Sequence, residues 1–461
     1  MTTHYHFVGI GGIGMGTIAS LLLDKGFKVS GSDAKSGKMT DMLAVKGAKI
    51  FIGHAAHQVR GADCVVLSSA IPQDNPEWQA AIAKGIRVMH RAEVLAGLMR
   101  DTVSIGVAGA HGKTTTTSMI AQLFVDAGLN PTTAIGGIVK TWPQSALVGD
   151  SEYFIAELDE SDGSFLHFNP HYSVITNIDA EHMDFYKTMD RVEEYYLKFL
   201  DRTGHEGIVI AFGEDPILRR LLERSRSPYR TYGLEADNDL YAGDVRLHPF
   251  GSRFNCVYQG NNLGEVELSV PGEHNIKNAC AGLLLGLHCG IGFETLKKSL
   301  AQFHGVRRRF DLVGSVNDIL IVDDYGHHPT EIRAALKTAR GLNRRVIAVF
   351  QPHRYSRTYH LWNEFVQCFS DCGHLIVTDI YAAGEKPLEG VSAQRLAGEI
   401  GFACNHPVIY QPKDKILECI SEIIRPGDCV MTLGAGDITD VAHRIREHLE
   451  TKFISRSLVT G

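Results

Sequence analysis

No stretch of this chain approaches the roughly 20 consecutive apolar residues that a membrane-spanning helix needs, so a membrane is not an expected partner. An excess of positive charge is also missing. Lys and Arg number 46 against 53 Asp and Glu, and the net charge of −7 argues against a basic footprint for nucleic acid. The 9 cysteines form no CxxC pair and no zinc-type spacing with histidine, so reduced, mostly buried thiols are expected. Low-complexity tracts and repeats of solenoid period are absent. The opening residues 1–6 carry neither a basic nor an apolar leader pattern, and a cytoplasmic protein is expected.

With 461 residues the chain has room for two or three domains. Apolar strand-like runs alternate with amphipathic helix-like runs almost throughout, which is the pattern of parallel sheets with crossover helices, so the class is α/β. One block, from Tyr5–Ile10 to about Arg100, opens on a strand, a glycine turn and a helix near Gly14–Lys25. A second begins at Val103–Ala108. Within it, short alternating runs at Arg253–Tyr258 and Glu265–Val270 flank Asn261-Asn262-Leu263-Gly264, which predicts an antiparallel side sheet turning on those four residues. After Arg307-Arg308-Arg309 a third block alternates strands and helices to the end. The expected domains are 1–100, 101–309 and 310–461.

Four clusters carry chemistry. Gly109-Ala110-His111-Gly112-Lys113-Thr114-Thr115 lies between a strand and a helix. Amides at a helix N-terminus attract phosphate, Lys113 can neutralise it, and the Thr114 hydroxyl can ligate Mg²⁺. Val107 stands where a strict GxxxxGK[ST] loop has its first glycine, so this is a shortened variant. The acidic run Glu157-Leu158-Asp159-Glu160-Ser161-Asp162 follows another strand and would repel itself without a cation, which makes Glu157 a candidate metal ligand. Thr176 to Asp184 follows a third strand and offers His182 as a neutral imidazole ligand. Gly9-Ile10-Gly11-Gly12-Ile13-Gly14, trailed by Asp33, fits a dinucleotide or a uridine diphosphate equally well. The first would make an NAD-dependent oxidoreductase, a reading that leaves Lys113, Thr114 and the carboxylates unexplained.

Together with His274-Asn275, Asn278, Arg307 to Phe310, Asp323 to Pro329 and His353-Arg354-Tyr355, these motifs in this order resemble the Mur ligase family over essentially the whole chain. The resemblance implies a Rossmann-like N-terminal domain for a UDP-sugar, with Gly11, Gly12, Ile13, Gly14 and Asp33. It implies a central P-loop ATPase-like domain binding ATP through Gly109 to Thr115, with His274, Asn275 and Asn278 on the adenine side and Arg309 approaching the phosphates. It further implies a Rossmann-like C-terminal domain for the amino acid.

The implied reaction joins L-alanine to the lactyl carboxylate of UDP-N-acetylmuramate through an acyl phosphate, with Mg²⁺ on Thr114, Glu157 and His182. Lys113, Glu157, His182, Asp324, His327 and Arg354 are the expected catalytic residues. A peptide-recycling sibling is the nearest alternative; Gly11 to Met15 favours the alanine branch. No nucleic-acid or membrane partner is implied, and the expected assembly is a monomer or weak homodimer.

Overall fold

A computed structural model describes residues 2–142, 146–204 and 206–459. Three sheets carry an α/β architecture. The first has five strands, β1 (His4–Val8), β2 (Lys28–Asp33), β3 (Lys49–Ile52), β4 (Cys64–Leu67) and β5 (Arg87–His90), all parallel in the order β3-β2-β1-β4-β5. The chain reverses direction across this sheet at β1, so the crevice where diphosphates settle in such folds opens at the end of β1.

The second sheet is built on β6 (Val103–Ala108), β7 (Thr132–Ala134), β8 (Ala146–Leu147), β9 (Tyr153–Glu157), β10 (Tyr172–Ile175), β11 (Ile208–Phe212) and β12 (Tyr229–Gly233), ordered β12-β11-β10-β6-β9-β7-β8. Beyond β12 it continues through β13 (Leu240–His248), β14 (Gly251–Tyr258) and β15 (Asn261–Leu268). The side sheet exists, but its turn is Gln259-Gly260 rather than the expected Asn261 to Gly264. Both turn residues have positive φ, 49° and 77°, which matches a two-residue hairpin to the twist of its strands and leaves Asn261 to Gly264 inside β15.

The third sheet comprises β16 (Asp311–Val316), β17 (Ile319–Asp324), β18 (Arg345–Phe350), β19 (His374–Val377), β20 (Val408–Tyr410) and β21 (Asp428–Leu433), ordered β16-β17-β21-β18-β19-β20, with only β16 antiparallel. β17 and β21 are buried along their whole length, because helices cover both faces. Ile332, Leu336 and Leu396 pack on one face; Ile416, Ile438 and Ile445 pack on the other.

The chain divides into two compact units. The first is Met1–Gly243 with Asn255–Glu265 and Lys277–Phe303; the second is Asp244–Phe254 with Val266–Ile276 and His304–Gly461. Strands β13 to β15 and the helix Glu273–His288 are shared between them. Among the described residues no helix is long and apolar enough to cross a membrane. All nine cysteines are free, seven of them buried.

Candidate functional site

Strand order decides which motifs meet. β6 lies between β10 and β9, so the loops leaving their C-terminal ends stand side by side: the glycine loop 109–112, the acidic loop 158–162 and the loop 176–182. Gly109 has φ 134°, and a Cβ there would fall 2.1 Å from Thr176 Oγ1, so only glycine lets the two loops touch. Asn177 fixes the turn by accepting from the His111 amide at 2.9 Å and donating to its carbonyl at 3.0 Å, while the His111 ring meets Asp179 at 2.8 Å. The Ala110 amide donates to the Asn177 carbonyl, and Thr114 and Thr115 are both buried.

The loop ends in the helix Lys113–Asp126, whose N-cap Gly112 has φ 82°. Asn278 comes up to this glycine: a Cβ on Gly112 would sit 2.9 Å from Asn278 Oδ1.

Lys113 turns back over its own loop, donating to the carbonyls of Gly109 (2.5 Å) and Ala110 (3.1 Å), and meets both Glu160 oxygens at 2.9 and 2.8 Å. Burial works against its charge, but Glu160 overrides that and raises its pKa. Thr114 Oγ1 donates to Glu157 Oε1 at 2.9 Å, and the other Glu157 oxygen accepts from the Gly136 amide at 2.8 Å.

His182, in a left-handed conformation at φ 54°, lies 3.5 Å from Glu160 and 3.2 Å from Glu181. Burial opposes its protonation, and the two carboxylates nonetheless push it up to about 9.

Of the three expected metal ligands, Thr114 and Glu157 therefore meet directly, while His182 groups with Glu160 and Glu181, their ligand atoms within 4.8 Å of one another. Hydroxyl and carboxylate oxygens with one imidazole suit a hard divalent cation, and a hydroxyl and carboxylate already in contact need only small adjustment to share one. Glu160 and Glu181 were visible in sequence only as members of acidic runs; the signal that marks them is the buried pairing with Lys113 and His182.

The first sheet supplies the other wall. Gly9 to Gly12 follow β1 and open the helix Ile13–Asp24. Asp33 accepts from the Gly11 amide at 2.9 Å, and a Cβ on Gly11 would lie 2.8 Å from that carboxylate. Gly12, Ile13 and Gly14 line a cavity of about 380 Å³ together with Ser68, Arg91, Lys113, Gly136, Glu157 and Asp159. The start of the helix after loop 109–112, the acidic loop and the Gly9 to Gly14 loop thus open onto one space.

Arg91, which the sequence did not mark, and Asp159, marked only as a member of the acidic run, form an ion pair inside it. Burial favours the neutral acid, but Arg91, the Ser161 amide and Lys113 hold Asp159 down at about 2.

The three profiles that match this chain tile it: the Mur ligase family catalytic domain over residues 4–102, the Mur ligase middle domain over 107–286 and the Mur ligase glutamate ligase domain over 308–436. A UDP-N-acetylmuramate--L-alanine ligase of Geotalea uraniireducens is 45% identical over 96% of this chain and 98% of its own length. The chain belongs to the Mur ligase family. A ligase of the same name from Geobacter sulfurreducens is 45% identical over 94% of this chain and 95% of its own. Among solved structures, the UDP-N-acetylmuramate-alanine ligase of Thermotoga maritima superposes with a TM-score of 0.83 at 27% identity, covering 97% of this chain and 99% of the other. A murein peptide ligase of Psychrobacter arcticus shares the fold at 23% identity and a TM-score of 0.73, over 97% and 98% of the two chains.

In the second unit the Mur ligase motifs converge by the same rule, since β21 lies between β17 and β18. Asp324 closes β17, accepting from the amides of Phe310 and Gly326, both at 2.7 Å. Burial raises it to about 6 against the pull of Arg309. Arg308 and Arg309 each place a guanidinium 4.8 Å from the Tyr325 ring centre. His327 meets Glu331 at 3.2 Å and packs edge-on against His353, which stacks on Tyr381. Arg354 holds φ 68°, with its amide bonded to the Tyr381 carbonyl at 2.8 Å. His274 lies against Gly272, and the Asn275 amide donates to the Pro271 carbonyl at 2.7 Å.

Proposed function

We propose that this chain is an ATP-dependent ligase that joins L-alanine to the lactyl carboxylate of UDP-N-acetylmuramate, releasing ADP and phosphate, in peptidoglycan precursor synthesis. The observation that carries the reading is the single cavity onto which a diphosphate-type glycine loop and the Lys113-Thr114 phosphate loop both open. Near full-length likeness to ligases of that name supports the choice of substrates.

A carboxylate is a poor acyl donor until it is phosphorylated, and phosphorylating it brings two anions together. Lys113 supplies the buried cation that lowers this cost, and a nucleotide phosphate takes the place its ammonium now gives to Glu160. The loop amides and the helix dipole of Lys113–Asp126 hold the phosphate chain. Thr114, Glu157 and His182 are the residues that would hold Mg²⁺, with Glu160 and Glu181 beside His182. When bound, the ion supplies charge neutralisation and fixes the phosphate orientation.

Asn278, with His274 and Asn275, serves the adenine side of ATP, and Arg309 serves its phosphates. Gly11, Gly12, Ile13 and Gly14 cradle the UDP-sugar, with Asp33 pinning their loop. Asp324, His327 and Arg354 orient the incoming amino acid, the guanidinium toward its carboxylate.

We place the domain boundaries at 1–100, 101–309 and 310–461, and the enzyme in the cytoplasm as a monomer or weak homodimer.

The test is phosphate release from ATP with Mg²⁺ and UDP-N-acetylmuramate, comparing L-alanine with L-Ala-γ-D-Glu-meso-diaminopimelate. Turnover with L-alanine is expected. Turnover with the peptide alone would make it the recycling sibling, and none with either would refute the ligase reading.

A further inference from the structure

We propose that Arg91 is the side-chain anchor for the diphosphate of the nucleotide sugar, and that Asp159 is a built-in competitor that occupies this anchor until the substrate displaces it. The inference rests on the functional reading above, from which it takes the UDP-sugar.

Arg91 is the first residue of the helix Arg91–Met99, where the macrodipole is positive and a cation is disfavoured. The acidic Glu93 in the same turn is what that position favours, and it caps the helix by accepting from the His90 amide at 2.6 Å. A guanidinium held against the local field therefore serves something outside the helix. Its direction is given by Gly14, where a Cβ would lie 3.1 Å from Arg91 Nη1: the side chain lies across the glycine loop on the cavity side.

Among the described residues lining that cavity, Arg91 and Lys113 are the cations, and Glu157 and Asp159 the anions. Lys113 belongs to the phosphate loop. Arg91 is then the cation within reach of a diphosphate seated on Gly12 to Gly14, and its planar fork suits two phosphate oxygens.

What it holds now is Asp159, and the side chains of the pair are 21% and 37% exposed, so both face the space a substrate would enter. A second contact joins the same two segments. His90, next to Arg91, lies 3.5 Å from Asp162, and Ser69 bonds both. The acidic loop is thus tied to the first sheet at two points. When the diphosphate takes Arg91, one tie is released and the other remains, so the loop carrying Glu160 keeps its place after Glu157 at the end of β9 while Asp159 turns away.

The experiment is calorimetric titration of the full chain with UDP-N-acetylmuramate and with UDP-N-acetylglucosamine, which lacks the lactyl carboxylate. R91A is expected to raise Kd about tenfold or more for both ligands, as for a charged hydrogen-bonding partner, and R91K to recover part of that. D159N is expected to lower Kd by roughly threefold or more, because the competitor is gone, and to have no effect in the R91A background.

A merely structural pair would weaken binding whichever partner were changed. D159N binding no tighter than wild type overturns the proposal, as does R91A within about twofold of wild type. An R91A effect confined to UDP-N-acetylmuramate moves the anchor to the lactyl carboxylate and overturns the diphosphate assignment. If R91A fails to fold, R91K and D159N decide the matter alone. Wild type that binds neither sugar nucleotide refutes the functional reading itself, a result distinct from all of these.

Discussion

Glu160→Gln is the most informative single change in the central site. The Glu160 side chain is 4% exposed and is shared by two cations, Lys113 at 2.8 and 2.9 Å and His182 at 3.5 Å. Glutamine keeps the shape and removes the charge, leaving two half-buried cations with one carboxylate, Glu181, at His182. Breaking a buried pair by removing one partner costs about 3 to 5 kcal/mol, most of it the stranded charge. For a unit of this size that is a fall in Tm of about 5 to 10 °C by scanning calorimetry without nucleotide.

Two controls sharpen the result. K113M/E160Q should recover about half of the loss, since no cation is then stranded at the loop. Saturating ADP should narrow the gap between E160Q and wild type, because the nucleotide phosphates become the counter-charge for Lys113. An E160Q melt within about 1 °C of wild type would refute the argument. So would strict additivity in the double variant.

Further outcomes follow from other residues. Gly109→Ala places a methyl 2.1 Å from Thr176 Oγ1 at a φ of 134°; nucleotide binding by fluorescence titration should weaken by about a hundredfold or more, with a stability loss of about 2 to 4 kcal/mol. His353 is kept neutral by burial and by His327, Arg357, Arg354 and Arg308, with its pKa down at about 3 against 6.5 when unfolded. Its contribution is fully present above pH 6.5 and is lost as pH falls toward 3, so urea unfolding of the wild type should lose a few kcal/mol more than H353F over that window. Chelation by EDTA should abolish phosphate release and added Mg²⁺ restore it; T114A and E157Q should each raise the Mg²⁺ concentration for half-maximal rate about tenfold or more.

Strands that are apolar along their whole length were legible from the sequence almost to the residue. Arg345–Phe350 appears with the expected bounds because burial on both faces leaves an uninterrupted apolar run after a polar start; Lys28–Asp33 and Val103–Ala108 also do, although small serines and glycines interrupt them. Ends that run into the candidate site were read too long: Tyr172–Ile178 stops at Ile175 because Thr176 and Asn177 turn to bind the His111 carbonyl of loop 109–112. The hairpin turn was misplaced because Asn and Gly are the commoner turn residues, whereas Gln259 takes positive φ only with Gly260 beside it.

The same division holds in the site. Lys113 and Thr114 are marked by spacing within one motif, and Glu157 by an acidic run at a strand end. Arg91 and Asp159 are joined only by tertiary structure, 68 residues apart; the acidic run marks Asp159 as one carboxylate among four, and nothing local distinguishes Arg91 from a surface charge.

The burial of the cysteines gives the enzyme a practical property. Seven are sealed in apolar cores, and the two that are half-buried, Cys289 and Cys404, fall one in each compact unit. Burial raises both of these thiols, Cys289 to about 11, so a thiol-directed dye near neutral pH should modify the native chain only slowly. Rapid uptake of such a dye therefore reports the opening of a core rather than the native chain.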